Sequence, residues 1–252
     1  MHPDSAFDLT VTTWNIHRGR GADGRIDPDR IARALAAEVC PPGAAHVLAL
    51  QEADAEAPPH RAVLPARTVT AATGLVTAHA GPRRRWGAAS LGFHGNALFV
   101  TPGWRIRDVT LLDLPGVCPR GAILAEMAPP GGPALRLLTA HLSLWQPLRI
   151  AQMRVIGQHL ARRAALPTIL AGDLNEWRPW GGAMLARRVT GRRLSGPAPA
   201  TFPVRRPLLP MDRVLSDTPR GVAAARALTG PLIRAASDHL PLRARVHVVP
   251  AP

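Results

Sequence analysis

The chain has 252 residues, enough for a substantial core, and a formal charge of +14. All 31 basic residues are arginine, which excludes a P-loop lysine; this arginine-rich composition is also typical of a GC-rich coding sequence, which weakens the charge as evidence for a nucleic-acid partner. No low-complexity linker divides residues 1–252, no apolar run reaches transmembrane length and the amino terminus lacks a signal-peptide pattern, so we expect a single domain in a cytoplasmic, monomeric protein.

The first predicted strand, Leu9–Trp14, is rich in β-branched residues and ends at Asn15. The segment after it, Gly19–Gly24, has the G-x-G-x-x-G spacing of a dinucleotide-binding loop. In such a loop the glycines form the turn that opens the helix, whereas here the helix-start signal, Asp27 followed by Pro28, comes after the last glycine. The pattern therefore favours a flexible loop over a nucleotide site.

The second predicted strand, His46–Leu50, follows a predicted helix over Arg30–Val39 and ends in Gln51 and Glu52. A glutamate at the end of a buried strand is costly unless it has a partner. The next predicted elements are a helix over Arg61–Thr73, strands over Leu75–His79, Asn96–Val100, Ile106–Leu112, Ala122–Met127 and Leu135–Ala140, and a helix over Pro147–Arg163. The last of these strands runs directly into His141.

A short apolar run, Thr168–Ala171, is predicted to be a strand buried on both faces. Gly172 lets the backbone turn after it, and Asp173, Asn175 and Glu176 then place two carboxylates and an amide at the carboxyl end, where open α/β sheets bind ligands. Two interpretations of this segment stay open: a site for a cation and a phosphate, or an Asx turn that caps a helix.

The last part of the chain begins with an irregular, arginine-rich segment, Arg178–Pro210, which indicates a functional loop or a flexible excursion. Strands are predicted over Met211–Ser216, from Gly221 onward, and over Leu242–Val249. Asp212 lies in the first of these strands, and the pair Asp238 and His239 precedes the last one.

Polar and ionisable side chains thus follow or occupy one apolar strand after another, and in a layered sheet they can converge at one end. They are Asn15, Glu52, His141, Asp173, Asn175, Asp212, Asp238 and His239. Carboxylates and amides suit a hard cation such as Mg²⁺, and histidines beside carboxylates supply a general base or an oriented imidazole. The set predicts metal-assisted hydrolysis of a phosphate ester.

These segments resemble, in order along the chain, the motifs of the endonuclease/exonuclease/phosphatase superfamily, whose fold is DNase-I-like. They are T-W-N-I-H-R-G, L-Q-E-A-D, G-N-A-L, T-A-H-L, L-A-G-D-L-N-E-W, M-D-R-V-L and S-D-H-L-P-L, and they extend from Trp14 to Leu242. The resemblance implies an α/β (α+β) fold, a four-layer α/β/β/α sandwich in which two mostly antiparallel sheets pack face to face with helices outside. The alternation of strands and helices alone leaves a doubly wound sheet open.

The same resemblance implies a metal site. Glu52 resembles the principal metal ligand, with Asn15 beside it and Asp238 as a further contributor. The expected cofactor is Mg²⁺, which Mn²⁺ can replace.

The resemblance also implies the catalytic roles. His239 resembles the histidine near the scissile phosphate, and Asp212 would orient it. Asp173 would orient or deprotonate the attacking water, Asn175 would hold a phosphate oxygen, and His141 would stabilise the pentacovalent transition state or protonate the leaving oxygen. Whether His239 or Asp173 is the base stays open.

Three further residues are predicted to contact the substrate: Asn96, Arg18 and Arg149. A structural turn explains Asn96 equally well, and solvated positions explain the two arginines. Trp145 and Trp177 flank two of the motifs, so each either stacks on a substrate or packs at the rim of the fold.

The predicted function is that of a Mg²⁺-dependent phosphodiesterase acting on a nucleic acid or a phospholipid headgroup. The alternative is a non-catalytic module that binds nucleic acid or anionic lipid on the same fold; against it, none of the predicted catalytic positions carries an inert residue. Tyrosine is absent, which argues against a dedicated DNA-repair enzyme.

Overall fold

The computed structural model describes residues 7–81 and 85–249. Residues 1–6, on which the prediction about a signal peptide depends, lie outside the described residues. The strands are β1 (Phe7–Asn15), β2 (Val47–Gln51), β3 (Val76–Thr77), β4 (Ala97–Val100), β5 (Arg105–Leu114), β6 (Arg120–Ala128), β7 (Leu135–His141), β8 (Thr168–Asp173), β9 (Asp212–Ser216), β10 (Val222–Ala227) and β11 (Leu242–Val248). The helices are α1 (Pro28–Ala34), α2 (Ala66–Thr73), α3 (Gln146–Ala161), α4 (Arg187–Thr190) and α5 (Pro231–Ala236).

The strands form two mixed sheets. One has six strands in the order β10-β11-β1-β2-β4-β3, and the other has five in the order β5-β6-β7-β8-β9. The pairs β1–β2 and β7–β8 are parallel, and the other neighbours are antiparallel. This arrangement confirms the predicted sandwich of two mostly antiparallel sheets.

Three apolar clusters hold the layers together. The cluster between the sheets includes Leu9 and Val11 from one sheet and Ile169 and Val214 from the other. A second cluster packs α1, α2 and α5 on the six-stranded sheet, and a third packs α3 and α4 on the five-stranded sheet. Burial of apolar surface at about 25 cal/mol per Å² is the main force joining such layers. No helix in the described part of the chain has both the length and the apolar character needed to cross a bilayer.

The helix predictions were correct in place but not in extent. The helix predicted over Arg30–Val39 starts at Pro28, with Asp27 accepting a hydrogen bond from the backbone N–H of Arg30, and its second half winds as a π-helix over Leu35–Val39. This start confirms that Gly19–Gly24 is not the turn that opens the helix. The helix predicted from Arg61 begins only at Ala66, directly after Pro65.

Two short helices were missed altogether. α5 has six residues, and α4 lies inside the arginine-rich segment that was predicted to be irregular. Neither is long enough to show an apolar periodicity of 3.6 residues, so both form through packing of their surroundings.

The strand ends bring the polar residues to one end of the sandwich. Asn15 lies opposite Gln51 in the parallel pair β1–β2, and Asp173 lies opposite both His141 and Asp212 in the other sheet. At this end Gly172 lies inside β8, where a Cβ atom would come within 2.1 Å of the carbonyl oxygen of Ala140. A glycine is therefore needed for the ends of β7 and β8 to pair closely.

Candidate active site

Asp173 lies at the centre of the site and joins the two sheets. Its Oδ2 accepts a hydrogen bond of 2.9 Å from the side-chain amide of Asn15, and its Oδ1 accepts one of 3.0 Å from the backbone N–H of Asn175. His141 Nε2 lies 3.5 Å from the same Oδ2. These contacts fix a buried carboxylate in one orientation.

His239 is held against Asp173 by a second carboxylate. Its Nδ1 lies 2.8 Å from Asp212 Oδ2, and its Nε2 lies 3.8 Å from Asp173 Oδ2. The hydroxyl of Ser237 accepts a hydrogen bond from the backbone N–H of His239 and donates one to the carbonyl of Asn15, which ties this loop to the end of β1. Burial disfavours the charged imidazole, but Asp212 and Asp173 outweigh burial and raise the pKa of His239 to about 10.

His141 is neutral, in contrast to the positively charged His239. Burial lowers its pKa to about 3, against the attraction of Asp173, so the ring is neutral near pH 7. The guanidinium of Arg120 lies 2.9 Å from Nδ1, and because a guanidinium can only donate, Nδ1 is the acceptor and Nε2 carries the hydrogen. His141 therefore presents a neutral N–H beside Asp173. This charge state favours stabilisation of a transition state over protonation of a leaving oxygen.

Glu52 forms the other wall of the site, at the end of β2. The side-chain amide of Asn15 donates to its Oε1 over 3.3 Å, and Arg18 NH1 lies 2.9 Å from its Oε2. Arg18 also approaches Glu56, at 3.8 Å. The amide of Asn15 thus joins the carboxylates of Glu52 and Asp173, and its Oδ1 accepts from the backbone N–H of His17. In this geometry Asn15 steadies Glu52, and because its Oδ1 keeps a second lone pair, its contribution to a metal site stays a prediction.

Two buried oxygens on this side fit a hard cation. Oε2 of Glu52 and Oδ1 of Asp238 accept no hydrogen bond within the described residues, and each faces a basic side chain, Arg18 at 2.9 Å and His17 at 3.5 Å. Carboxylate oxygens held in this way suit an oxygen-seeking ion such as Mg²⁺, which would take the place of these ion pairs.

A second group of potential ligands lies in the same site. Asp173, Asp212 and His239 each offer an atom, and these atoms lie within 4.8 Å of one another. We propose Glu52 and Asp238 for the cation, because Nδ1 of His239 and Oδ2 of Asp212 are already bonded to each other.

A cleft of about 80 Å³ opens onto this site, and its lining includes Glu52, Arg18, Arg120 and His141. A larger cavity of about 460 Å³ is lined by Arg61, Thr77, Ser90 and their neighbours and contains none of the predicted site residues. The smaller cleft is therefore the one that three predicted site residues line, Arg18, Glu52 and His141.

The backbone is strained where these side chains are presented. Seven described residues other than glycine have positive φ, and five of them lie at or beside the site: His17, Arg18, Glu52, His94 and Asn175. Such conformations cost about 1–3 kcal/mol each and occur preferentially at functional sites. The strain is evidence that the fold holds these positions for a purpose other than stability.

Two of the predicted substrate contacts occupy structural positions. Asn96 is fully buried, and its amide nitrogen donates to the carbonyls of Phe93 and Gly121. The guanidinium of Arg149 is also buried; it donates to the carbonyls of Ser143 and Leu144 and lies 3.6 Å from Glu176. These contacts suit supports of the surrounding loops, whereas Arg18, on the cleft wall, keeps a position suited to a phosphate.

The backbone N–H of Asn175 donates to Asp173 Oδ1, and the side-chain amide of Asn175 donates to the carbonyl of Leu142. It therefore joins the loops that follow β7 and β8.

Sequence reasoning missed Arg120 and the aromatic side of the cleft. Arg120 gave no signal because arginine is so common in this chain. Trp86 stacks on His60 and meets His94 edge to face, and both Trp86 and His94 line the cleft. Trp86 and His94 come from the loop between β3 and β4, and His60 comes from the segment between β2 and α2; none of the three is at a strand end, so only the folded chain brings them to the site.

Comparison with known proteins identifies the family of the chain. The model of the Endonuclease/Exonuclease/phosphatase family matches residues 12–239. An uncharacterized protein of Escherichia coli K12, YbhP, is 31% identical over 166 residues, which is 62% of this chain, and the chain spans 64% of the length of that relative.

Solved structures share the fold. An endonuclease/exonuclease/phosphatase from Beutenbergia cavernae superposes with a TM-score of 0.67 at 23% identity, over 97% of this chain and 72% of that one. Sphingomyelinase C from Streptomyces griseocarneus superposes with a TM-score of 0.61 at 18% identity, over 95% and 99%. Since the family model covers nearly the whole described chain, the protein belongs to the endonuclease/exonuclease/phosphatase family.

Proposed function

We propose that the protein is a Mg²⁺-dependent phosphodiesterase that cleaves its substrate by attack of water. The supporting observation is the convergence, at one end of the sandwich, of a buried Asp212–His239 pair on Asp173, with Glu52 joined to Asp173 through Asn15. Family members hydrolyse phosphate esters, and this arrangement supplies the groups that such hydrolysis requires.

Glu52 and Asp238 would hold the cation, and Asn15 would keep Glu52 in place. Mg²⁺ supplies Lewis-acid stabilisation of the negative charge that develops on the phosphoryl oxygens. Mn²⁺, which also prefers oxygen ligands, is expected to replace it.

Asp173 is the proposed acceptor for the proton of the attacking water. Its orientation is fixed by Asn15 and Asn175, and it lies between the two histidines. His239, whose positive charge Asp212 and Asp173 favour, would donate a hydrogen bond to the phosphate, so we assign the role of base to Asp173. His141 donates its Nε2 hydrogen to the transition state, and Arg18 lies on the cleft wall, where it can bind a phosphate oxygen.

The test is hydrolysis of bis(p-nitrophenyl) phosphate with Mg²⁺ or Mn²⁺, with a chelator, and with the variant Asp173→Asn. Turnover that requires the cation and is lost in Asp173→Asn supports the proposal. Circular dichroism of the variant checks that it is folded.

The non-catalytic binding module would give a different result. The protein would then bind anionic polymers or lipids without hydrolysing any diester, and Asp173→Asn would leave that binding unchanged. Turnover that persists in the chelator would contradict the metal-dependent mechanism.

A further inference from the structure

Large apolar side chains are exposed around the candidate active site. Nine large hydrophobic residues are exposed within residues 7–81 and 85–249, and six of them lie on loops at the site end of the five-stranded sheet. We call these six the apolar rim: Val117, Leu144, Trp145, Trp177, Trp180 and Leu208. Three of the six tryptophans of the chain belong to it. Single exposed apolar residues are ordinary, but a concentration of this kind at one place marks an interaction surface.

Val117 and Leu144 lie on loops that are bonded to each other. The side chain of Gln152, in α3, donates to the carbonyl of Pro115 in the loop before β6 and accepts from the backbone N–H of Ser143 in the loop after β7. Val117 is 96% exposed and Leu144 is 73% exposed. Gln152 therefore holds both loops in place, and their apolar side chains are exposed to solvent.

The loop after β8 is linked to the loop after β7. Glu176 is fully buried between Arg149, which also holds the loop after β7, and Arg178, whose guanidinium lies over the ring of Trp177. Trp180 follows shortly after and is 75% exposed.

Leu208 is connected through Arg213, a buried residue of β9. Its guanidinium donates to the carbonyl of Pro179 on one side and to that of Pro210 on the other. The loop that carries Leu208 also carries Phe202, whose ring packs on His239 at 4.8 Å. The apolar rim is thus a rigid surface continuous with the catalytic candidates.

The charge of this surface is positive. Arg205 and Arg206 are exposed on the loop of Leu208, whereas Arg187 and Arg188 are exposed on α4, which packs beside Gly157 in the middle of α3, away from the rim. The only acidic residue in the same two loops and α4 is Glu176, which is buried and paired. An apolar surface bordered by arginine complements a partner that is apolar inside and anionic at its surface.

We infer that the apolar rim docks the protein on the surface of an anionic phospholipid bilayer. Tryptophan prefers the membrane interface, and aliphatic tips bury in the acyl boundary while arginines contact headgroup phosphates. A single-stranded nucleic acid fits less well, because bases stack on planar rings and Val117, Leu144 and Leu208 have none. Docking in this orientation turns the cleft towards the headgroups, so a phospholipid phosphodiester becomes the substrate class. That last step, unlike docking, rests on the proposed function.

The experiment measures cosedimentation of the full chain with vesicles of phosphatidylcholine and phosphatidylglycerol in a chelator, where hydrolysis does not occur. The variant Leu144→Ser/Trp180→Ser removes two rim side chains. Val249→Ser is the control, since Val249 is exposed next to Val248, which pairs with Phe7 at the opposite end of the six-stranded sheet. We expect the rim variant to partition at least about tenfold less and the control to partition as the wild type does.

Tryptophan fluorescence gives a second measurement on the same samples, and a blue shift with vesicles is expected for the wild type and a smaller one for the rim variant. Three results would overturn the inference: no cosedimentation at low salt, equal binding by the rim variant, or binding of oligothymidylate that the rim variant loses while vesicles are not bound. Because the chelator separates binding from turnover, each of these results leaves the proposed hydrolysis untouched.

Discussion

The two sheets contribute to the candidate site in different ways. The five-stranded sheet supplies Asp173, Asp212 and His141, which are buried and held by hydrogen bonds. The side of the six-stranded sheet supplies Glu52 and Asp238, which contact the partly exposed Arg18 and His17. A preorganised, dry half suits proton transfer and charge stabilisation, whereas a more open half suits the exchange of a hydrated cation. The difference leads us to propose that catalysis and the binding of a metal ion can be disturbed separately.

The largest effect is expected for His239→Ala. Removal of the imidazolium lowers kcat for a phosphodiester by about 10²- to 10³-fold, because a preorganised hydrogen-bond donor to the developing charge contributes that much. The affinity for Mn²⁺, measured by calorimetry, should not change, since His239 lies in the half of the site that we assign to catalysis and not to metal binding. His247→Ala, which alters an exposed histidine beside Asp8, is the control. Loss of metal affinity in His239→Ala would show that the two halves are not separate.

Arg149→Met tests whether this residue supports the loops or contacts the substrate. The buried guanidinium donates to the carbonyls of Ser143 and Leu144, so its removal leaves these buried acceptors without a donor and lowers the free energy of unfolding by about 1–3 kcal/mol, while Glu176 keeps its pair with Arg178. KM is expected to stay unchanged in the folded fraction. Arg154→Met, on the exposed face of the same helix, is the control in urea denaturation. A raised KM with unchanged stability would return Arg149 to the substrate-binding residues.

Glu52→Gln addresses the open half of the site. The concentration of Mg²⁺ required for half-maximal activity should rise at least about tenfold, because a neutral amide replaces the proposed charged ligand. Glu56→Gln changes the exposed neighbour that also approaches Arg18 and should have no effect. Equal metal requirements in Glu52→Gln and wild type would move the cation to the group formed by Asp173, Asp212 and His239.

Arg120→Met tests the role that we propose for His141. We expect kcat to fall about tenfold, since a charged hydrogen bond that fixes the tautomer is lost. Arg120 also lowers the pKa of His141 through its charge, so without it the pKa of His141 rises and the acid limb of the pH–rate profile moves to higher pH. Arg120→Lys should restore part of both. An unchanged profile would mean that Arg120 does not position His141.

The smallest effect concerns the two thiols. Cys40 is packed in the cluster behind the six-stranded sheet, and burial raises its pKa to about 11, whereas Cys118 is exposed on the cleft side of the five-stranded sheet. At mildly alkaline pH one thiol should react rapidly with Ellman's reagent in the native protein and two in guanidinium chloride. Two rapid thiols in the native state would contradict the packing around Cys40.

The sequence by itself determined the strands and the order of the motifs. Apolar runs such as Thr168–Ala171 are short and bounded by proline or glycine, so their strand character is local. The polar residues that end them were recognisable for the same reason, and the family resemblance added the sandwich.

Only the tertiary structure decided which arginines matter and what surrounds the site. With 31 arginines, composition cannot distinguish Arg149, buried beneath two loops, from Arg120, which touches His141. The apolar rim likewise cannot be recognised from the sequence, because its residues come from loops that are far apart in the chain. Local propensity acts over a few residues, whereas burial and the pairing of charges depend on contacts between strands that only folding brings together.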